Sequence, residues 1–150
     1  MIALYPATEL EIEHMWQWRN DVAFRRAHPD THGQSLAEFR AWFAWAIENG
    51  THIYLIQTDL AGEYIGYLHW NIESRIMWIV VDRTKRSVGY GKQAIRKAVD
   101  MLKLQLGNDA RMVAWIKPEN YRGLLAFESA GFEEKAMTQG SPQFVIMESK

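Results

Sequence analysis

The sequence predicts an α/β chain in which short apolar strands are interleaved with amphipathic helices. Three observations carry this. The run Ile76-Met77-Trp78-Ile79-Val80-Val81 has the length and composition of a buried strand. After it come a polar, basic turn and Val88-Gly89-Tyr90-Gly91-Lys92. A helix follows in which Ala94, Ile95, Ala98, Val99 and Leu102 recur at helical spacing, while Arg96, Lys97, Asp100 and Lys103 face out. Two capping boxes, Thr8-x-x-Glu11 and Ser35-x-x-Glu38, open two earlier helices.

In chain order, residues 2–5 read as a short strand, and the first capping box starts a helix running to about Asn20. Residues 23–34 are a loop or broken helix carrying Arg25, Arg26, His28, Pro29 and His32. The second box starts a helix with Leu36, Phe39, Trp42, Phe43, Ala46 and Ile47 on one face, ending near Asn49-Gly50. Residues 51–58 are a strand, 59–62 a turn and 63–72 a strand. Period-two alternation puts Tyr67, His69 and Asn71 on one face of that strand, with Leu68 and Trp70 on the other. Glu73-Ser74 turns tightly into the central strand, and Gly107-Asn108 ends the long helix. Strand 111–116, helix 121–129, strand 132–136 and strand 143–148 complete the chain.

A chain of 150 residues is expected to form one domain with a sizeable core. Apolar content of 48% and charged content of 23% are ordinary for a soluble globule. A net charge of −1 argues against a general nucleic-acid or membrane-surface binder. No apolar run approaches the ~20 residues of a membrane span, and the first six residues do not read as a signal peptide. Absence of cysteine removes disulfides, thiolate nucleophiles and Cys zinc sites, and is mildly favourable to the expected cytoplasmic location. His28 and His32 are four apart, but Pro29 spoils a regular helix between them and no third ligand is near, so no metal site is expected. Trp42, Trp70 and Trp78 are assigned to the core. Trp16 and Trp18 cannot both face it, so one of them borders a pocket.

A strand, a glycine-bearing basic turn and a helix start together form a device for holding phosphate. Glycine lets backbone approach closely, and free N–H groups at the helix start point at the anion. Arg86 and Lys92 add charge there. The turn has three readings. It is a plain strand-to-helix turn, or a dinucleotide turn, since Gly89-x-Gly91-x-x-Ala94 fits G-x-G-x-x-G/A, or a third phosphate-binding loop. Against the dinucleotide turn, the next strand ends in Lys117-Pro118 where an acidic residue is required.

The third reading rests on a resemblance. Arg86-Ser87-Val88-Gly89-Tyr90-Gly91 resembles the R/Q-x-x-G-x-G/A pyrophosphate loop of the GNAT family of N-acetyltransferases. Pro118-Glu119-Asn120, followed by Phe127 and Ala130-Gly131-Phe132, resembles that family's second signature. The two stand in the family's order, and the resemblance covers essentially the whole chain. It implies a mixed, mostly antiparallel central sheet flanked by helices, acetyl-CoA as cofactor, and acetyl transfer to a primary amine of a small molecule. Coenzyme contacts are then expected from Ile79, Val80 and Val81, from the loop including Tyr90, Gly91 and Lys92, and from Asn120 and Phe127.

The same resemblance frames the chemistry. The backbone N–H of Val80 or Val81 meets the oxyanion if the strand splays open, as it does in the family. Phe127 stands where relatives often carry a tyrosine that protonates the leaving thiolate. A thiol of pKa ~8.5 leaves readily without it. Arg75 and Ile76 stand where many relatives have a carboxylate, and Gly123 where they have a small hydroxyl or alanine. Amine deprotonation is open to His69, Glu73, His28 or an ordered water, with His69 favoured as the group titrating near neutrality. Trp18-Arg19-Asn20, Arg25 and Ser35-Leu36-x-Glu38 resemble the branch acting on protein N-termini or nucleotide-linked amino sugars, and look most like the amino-sugar enzymes. Arg19, Arg25, His28 and Glu73 are therefore the expected acceptor contacts, and a homodimer is allowed for. The rival readings are a protein N-terminal acetyltransferase and a catalytically silent acyl-CoA-binding module.

Overall fold

The computed structural model describes residues 2–21, 33–58, 62–85 and 89–150. Strands β1 (Ile2–Pro6), β2 (Thr51–Thr58), β3 (Tyr64–Asn71) and β4 (Met77–Val81) form an antiparallel sheet in that order. Strands β5 (Val113–Ile116), β6 (Glu133–Met137) and β7 (Val145–Glu148) form a second antiparallel sheet in the order β5-β7-β6. One parallel bridge, Ile76 to Val113, joins the two sheets, and the Val113 N–H donates to the Arg75 carbonyl there at 2.9 Å. The expected mixed, mostly antiparallel sheet is thus present, but divided. Beyond the bridge no ladder links β4 to β5 among the described residues.

Among the described residues four helices flank the sheets: α1 (Ile12–Arg19), α2 (Leu36–Glu48), α3 (Tyr90–Leu106) and α4 (Tyr121–Ser129). Both capping boxes form. Thr8 and Glu11 bond reciprocally, as do Ser35 and Glu38, but the first box opens a 3-10 turn, Glu9–Glu11, before α1 begins. No helix among the described residues is long and apolar enough to cross a membrane.

Alternation along β3 sorts the core onto two faces. Leu68 and Trp70 pack with Ile95, Ala98 and Leu102 of α3. Tyr67 packs with Met15 of α1 and with Phe39 and Phe43 of α2 on the opposite face. Each such side chain contributes about 1.5–3 kcal/mol on full burial, so both faces of the first sheet are anchored.

Several expectations need correction. Ile47 is exposed, because the buried stripe of α2 narrows to Phe39, Phe43 and Ala46. Trp78 is half-buried, because β4 is the last strand of its sheet. Trp42 is also half-buried, packed against Phe39 and His69. Trp18 is the buried member of its pair, while Trp16 is half-buried and its Nε1 donates to the Gln34 carbonyl at 2.6 Å. Strand β6 begins one residue late and is exposed throughout. The expected loop over 23–34 and the turn over 59–62 lie largely outside the described residues.

Gly66 is required by close approach of β3 to β4, since a Cβ there would lie 2.1 Å from the Val80 carbonyl oxygen. Gly66→Ala is therefore expected to destabilise the fold by about 2 kcal/mol or more, by overpacking against backbone that cannot yield. Urea unfolding of the variant beside wild type measures this.

Candidate active site

The gap between β4 and β5 is defined by hydrogen-bond parity. The Asp82 N–H donates to the Ile65 carbonyl at 2.6 Å, and β3 pairs Tyr67 with Val80 and His69 with Trp78. In an antiparallel ladder hydrogen-bonded pairs alternate with non-bonded ones. Val80 and Trp78 therefore turn their main-chain groups to β3, and Ile79 and Val81 turn theirs towards the gap. Of the two amides expected to meet an oxyanion, Val80 is committed to the ladder and Val81 faces the gap.

The start of α3 follows the end of β4. Gly89 occupies the N-cap position at φ +80°, with no side-chain cap. The first bond of the helix runs from the Gln93 N–H to the Gly89 carbonyl at 3.2 Å, so the amides of Tyr90, Gly91 and Lys92 have no partner within the helix. Among the described residues a Cβ on Gly89 or Gly91 would meet nothing within 4 Å. Backbone donors and the dipole of a 17-residue helix both favour an anion at this end. Arg86, Ser87 and Val88 lie outside the described residues.

Asn120 caps α4 and its Oδ1 accepts from the Gly123 N–H at 3.0 Å. A Cβ on Gly123 would come within 2.5 Å of Asn120 Nδ2, which accounts for glycine at that position. Phe127 lies in the core, 4% exposed and edge-on to Phe132 with centroids 5.0 Å apart. Its ring has almost no surface to offer a ligand, contrary to the expected coenzyme contact.

A pocket of about 370 Å³ opens beside the end of β4, lined by His14, Gln17, Trp18, Asp21, Val81, Asp82 and Thr84. Asp82 Oδ2 accepts from Trp18 Nε1 at 3.3 Å, and Oδ1 accepts from the Thr84 N–H at 2.9 Å and Oγ1 at 2.8 Å. Burial pushes the Asp82 carboxyl up, but the Thr84 and Trp18 bonds and the nearby Lys85 outweigh it and hold it below the ordinary carboxylate value. The His14 ring lies against Trp18, with centroids 3.9 Å apart. Sequence reasoning missed His14 and Asp82. The i, i+4 spacing of His14 and Trp18 was a usable signal, whereas Trp18 and Asp82 are 64 residues apart and carried none.

The other expected residues are dispersed. His69 is half-buried on β3, its ring 4.9 Å from that of Trp42 and 6.2 Å from that of Tyr67. It stands opposite Trp78, three residues and roughly 10 Å of strand from Val81. Glu73 is exposed in the β3–β4 turn, where its N–H donates to Asn71 Oδ1 at 2.9 Å. That turn is at the opposite end of β4 from Val81 and α3. Arg19 is buried at the end of α1. Burial raises the Tyr67 hydroxyl above its ordinary value, and the Arg19 guanidinium pulls the other way. Arg25 and His28 lie outside the described residues, as does His32. Among the described residues no group of three His, Asp or Glu could hold a metal ion.

Two sheets splayed from one bridge, with an uncapped helix start at the open end, are the architecture of a coenzyme-dependent acyltransferase. Residues 2–133 match the acetyltransferase (GNAT) domain, and the chain belongs to that family. Solved structures share the fold. The aminoglycoside acetyltransferase AAC(6')-Ib in complex with coenzyme A superposes with a TM-score of 0.84 at 17% identity, over 99% of this chain and 94% of that one. The spermidine N-acetyltransferase of Vibrio cholerae, in complex with coenzyme A and spermine, gives a TM-score of 0.81 at 17% identity, over 98% and 94%. A domain from Methanocaldococcus jannaschii gives 0.84 at 17% identity, over 99% and 97%. No curated protein sequence matches the chain.

Proposed function

We propose that the protein transfers the acetyl group of acetyl-CoA to a primary amine of a small molecule. One juxtaposition carries the reading: the β4–β5 gap leads to the uncapped, glycine-bearing start of α3. A gap edged by main-chain groups suits an extended amide-bearing arm, and free amides at a helix start suit a pyrophosphate. No described atom lies within 4 Å of a Cβ on Gly89 or Gly91, which suits that group. The aminoglycoside and spermidine enzymes, both solved with coenzyme A, support the same coenzyme here.

When bound, acetyl-CoA supplies a thioester whose carbonyl carbon accepts the amine. The amides of Gly91 and Lys92, with the Arg86-Ser87-Val88 segment before them, hold the pyrophosphate. The Val81 amide, turned to the gap, donates to the carbonyl oxygen as it gains charge. His69, roughly 10 Å of strand from Val81, removes the proton of the amine through ordered water, because a protonated amine has no lone pair. Phe127 could donate no proton to a leaving thiolate, and a thiol of pKa ~8.5 would need none. That same residue favours a second reading, a silent acyl-CoA-binding module. The narrower acceptor, a nucleotide-linked amino sugar, requires cations for its diphosphate. Arg19 is buried, and Arg25 is the remaining candidate for that role.

Two variants test this. Gly91→Val adds a Cβ that meets no atom within 4 Å among the described residues, so it should melt close to wild type yet bind acetyl-CoA more than tenfold more weakly by calorimetry. Gly89→Val is the poorer probe, since φ +80° strains any side chain. Wild-type affinity in Gly91→Val would remove the site. For His69→Gln, log(kcat/KM) should lose its lower inflection, and the rate should fall by roughly 10²–10⁴. An unchanged pH profile and rate would make His69 structural.

A further inference from the structure

Helix α2 is apolar on every side. Of its 13 residues only Glu38, Arg40 and Glu48 are charged, and all the others are aliphatic or aromatic. Its inner face is accounted for by Phe39, Phe43 and Ala46 in the core. Its outer face is not. Ala37, Ala41 and Ala44 are exposed and form one line along the helix, at spacings of four and three. Beside them Trp45 is 59% exposed and Ile47 49%. A helix that is apolar all round is ordinarily covered all round. The charges say by what. Glu38 is engaged in its capping box with Ser35. The side chains of Arg40 and Glu48 are exposed and make no ion pair or hydrogen bond among the described residues. They stand four residues before and four residues after Ala44, on either side of the alanine line.

We propose that the outer face of α2 is a dimer interface, packed antiparallel against the same face of a second copy of this chain about a two-fold axis at Ala44. A two-fold contact has to be self-complementary. In this register, residues equally far before and after Ala44 stand at one level. Arg40 of each copy therefore meets Glu48 of the other, and the ion pair forms twice. Ala44 sits on the axis, where a small side chain lets the two helices approach closely. Trp45 is one residue away, so the two indoles flank the axis at the centre of the contact, where large aromatic side chains contribute most. A membrane surface is a poorer occupant, because the helix carries two glutamates against one arginine. A helix of 13 residues is about 20 Å long. One such pair buries less than the ~1,200 Å² of stable complexes, so the dimer is weak and concentration-dependent. The interface is independent of the acetyl transfer proposed above.

Sedimentation velocity of the full chain from about 10 μM to about 1 mM tests the assignment. Wild type should pass from monomer towards dimer across that range. Arg40→Glu and Glu48→Arg each set like charges against one another at both pairs, so each alone should weaken association by tenfold or more. Both positions are exposed and unpaired, so both variants should melt close to wild type. An equimolar mixture of the two variants brings opposite charges together again at both pairs and should associate as wild type does. Recovery in the mixture upholds the interface, because neither a damaged fold nor a contact elsewhere on the chain accounts for it. A wild type that stays monomeric throughout would overturn the proposal and leave the face to a different protein. Single variants that dimerise like wild type, or a mixture no more associated than its components, would overturn it equally.

Discussion

One bridge, between Ile76 and Val113, sets the rest of the structure. It fixes β4 beside β5 in parallel and then lets the two part. Parallel neighbours normally continue as a ladder, because an unpaired edge within a fold leaves polar main-chain groups to be satisfied in another way. Here β4 is held on its other edge by β3, tightly enough that Gly66 tolerates no side chain. It is also packed from both faces, by α3 on one side and by α1 and α2 on the other. The strand can present to β5 an edge that no ladder pairs among the described residues because everything else around it is anchored.

The end of β4 consequently separates two electrical environments. On one side the start of α3 offers uncapped amides and a positive dipole end. On the other, the pocket under α1 offers a carboxylate kept charged by Thr84 and Trp18.

Much of this was legible along the chain. The alternation of Tyr67, Leu68, His69 and Trp70 predicted which face each would join, and both capping boxes formed where serine, threonine and glutamate spacing put them. The glycine turn and long helix were readable because they are local. Division of the sheet was not, because whether β4 pairs with β5 depends on registers set by distant strands. Burial of Arg19, exposure of Ile47 and burial of Phe127 away from solvent were equally hidden, as they depend on how whole helices are rotated. The Trp18–Asp82 bond spans 64 residues and leaves no trace in spacing. The pocket residues were therefore ones that sequence reasoning missed, while the glycine-bearing start of α3 was legible.

The central claim is that the β4 edge and the α3 start form one continuous coenzyme slot. Amide hydrogen exchange with and without coenzyme A tests it most directly. The Ile79 and Gly91 amides should slow together by tenfold or more on binding, while Val80, already in the β3 ladder, should not change. Coenzyme A bound with the Ile79 and Gly91 amides exchanging as before would contradict it.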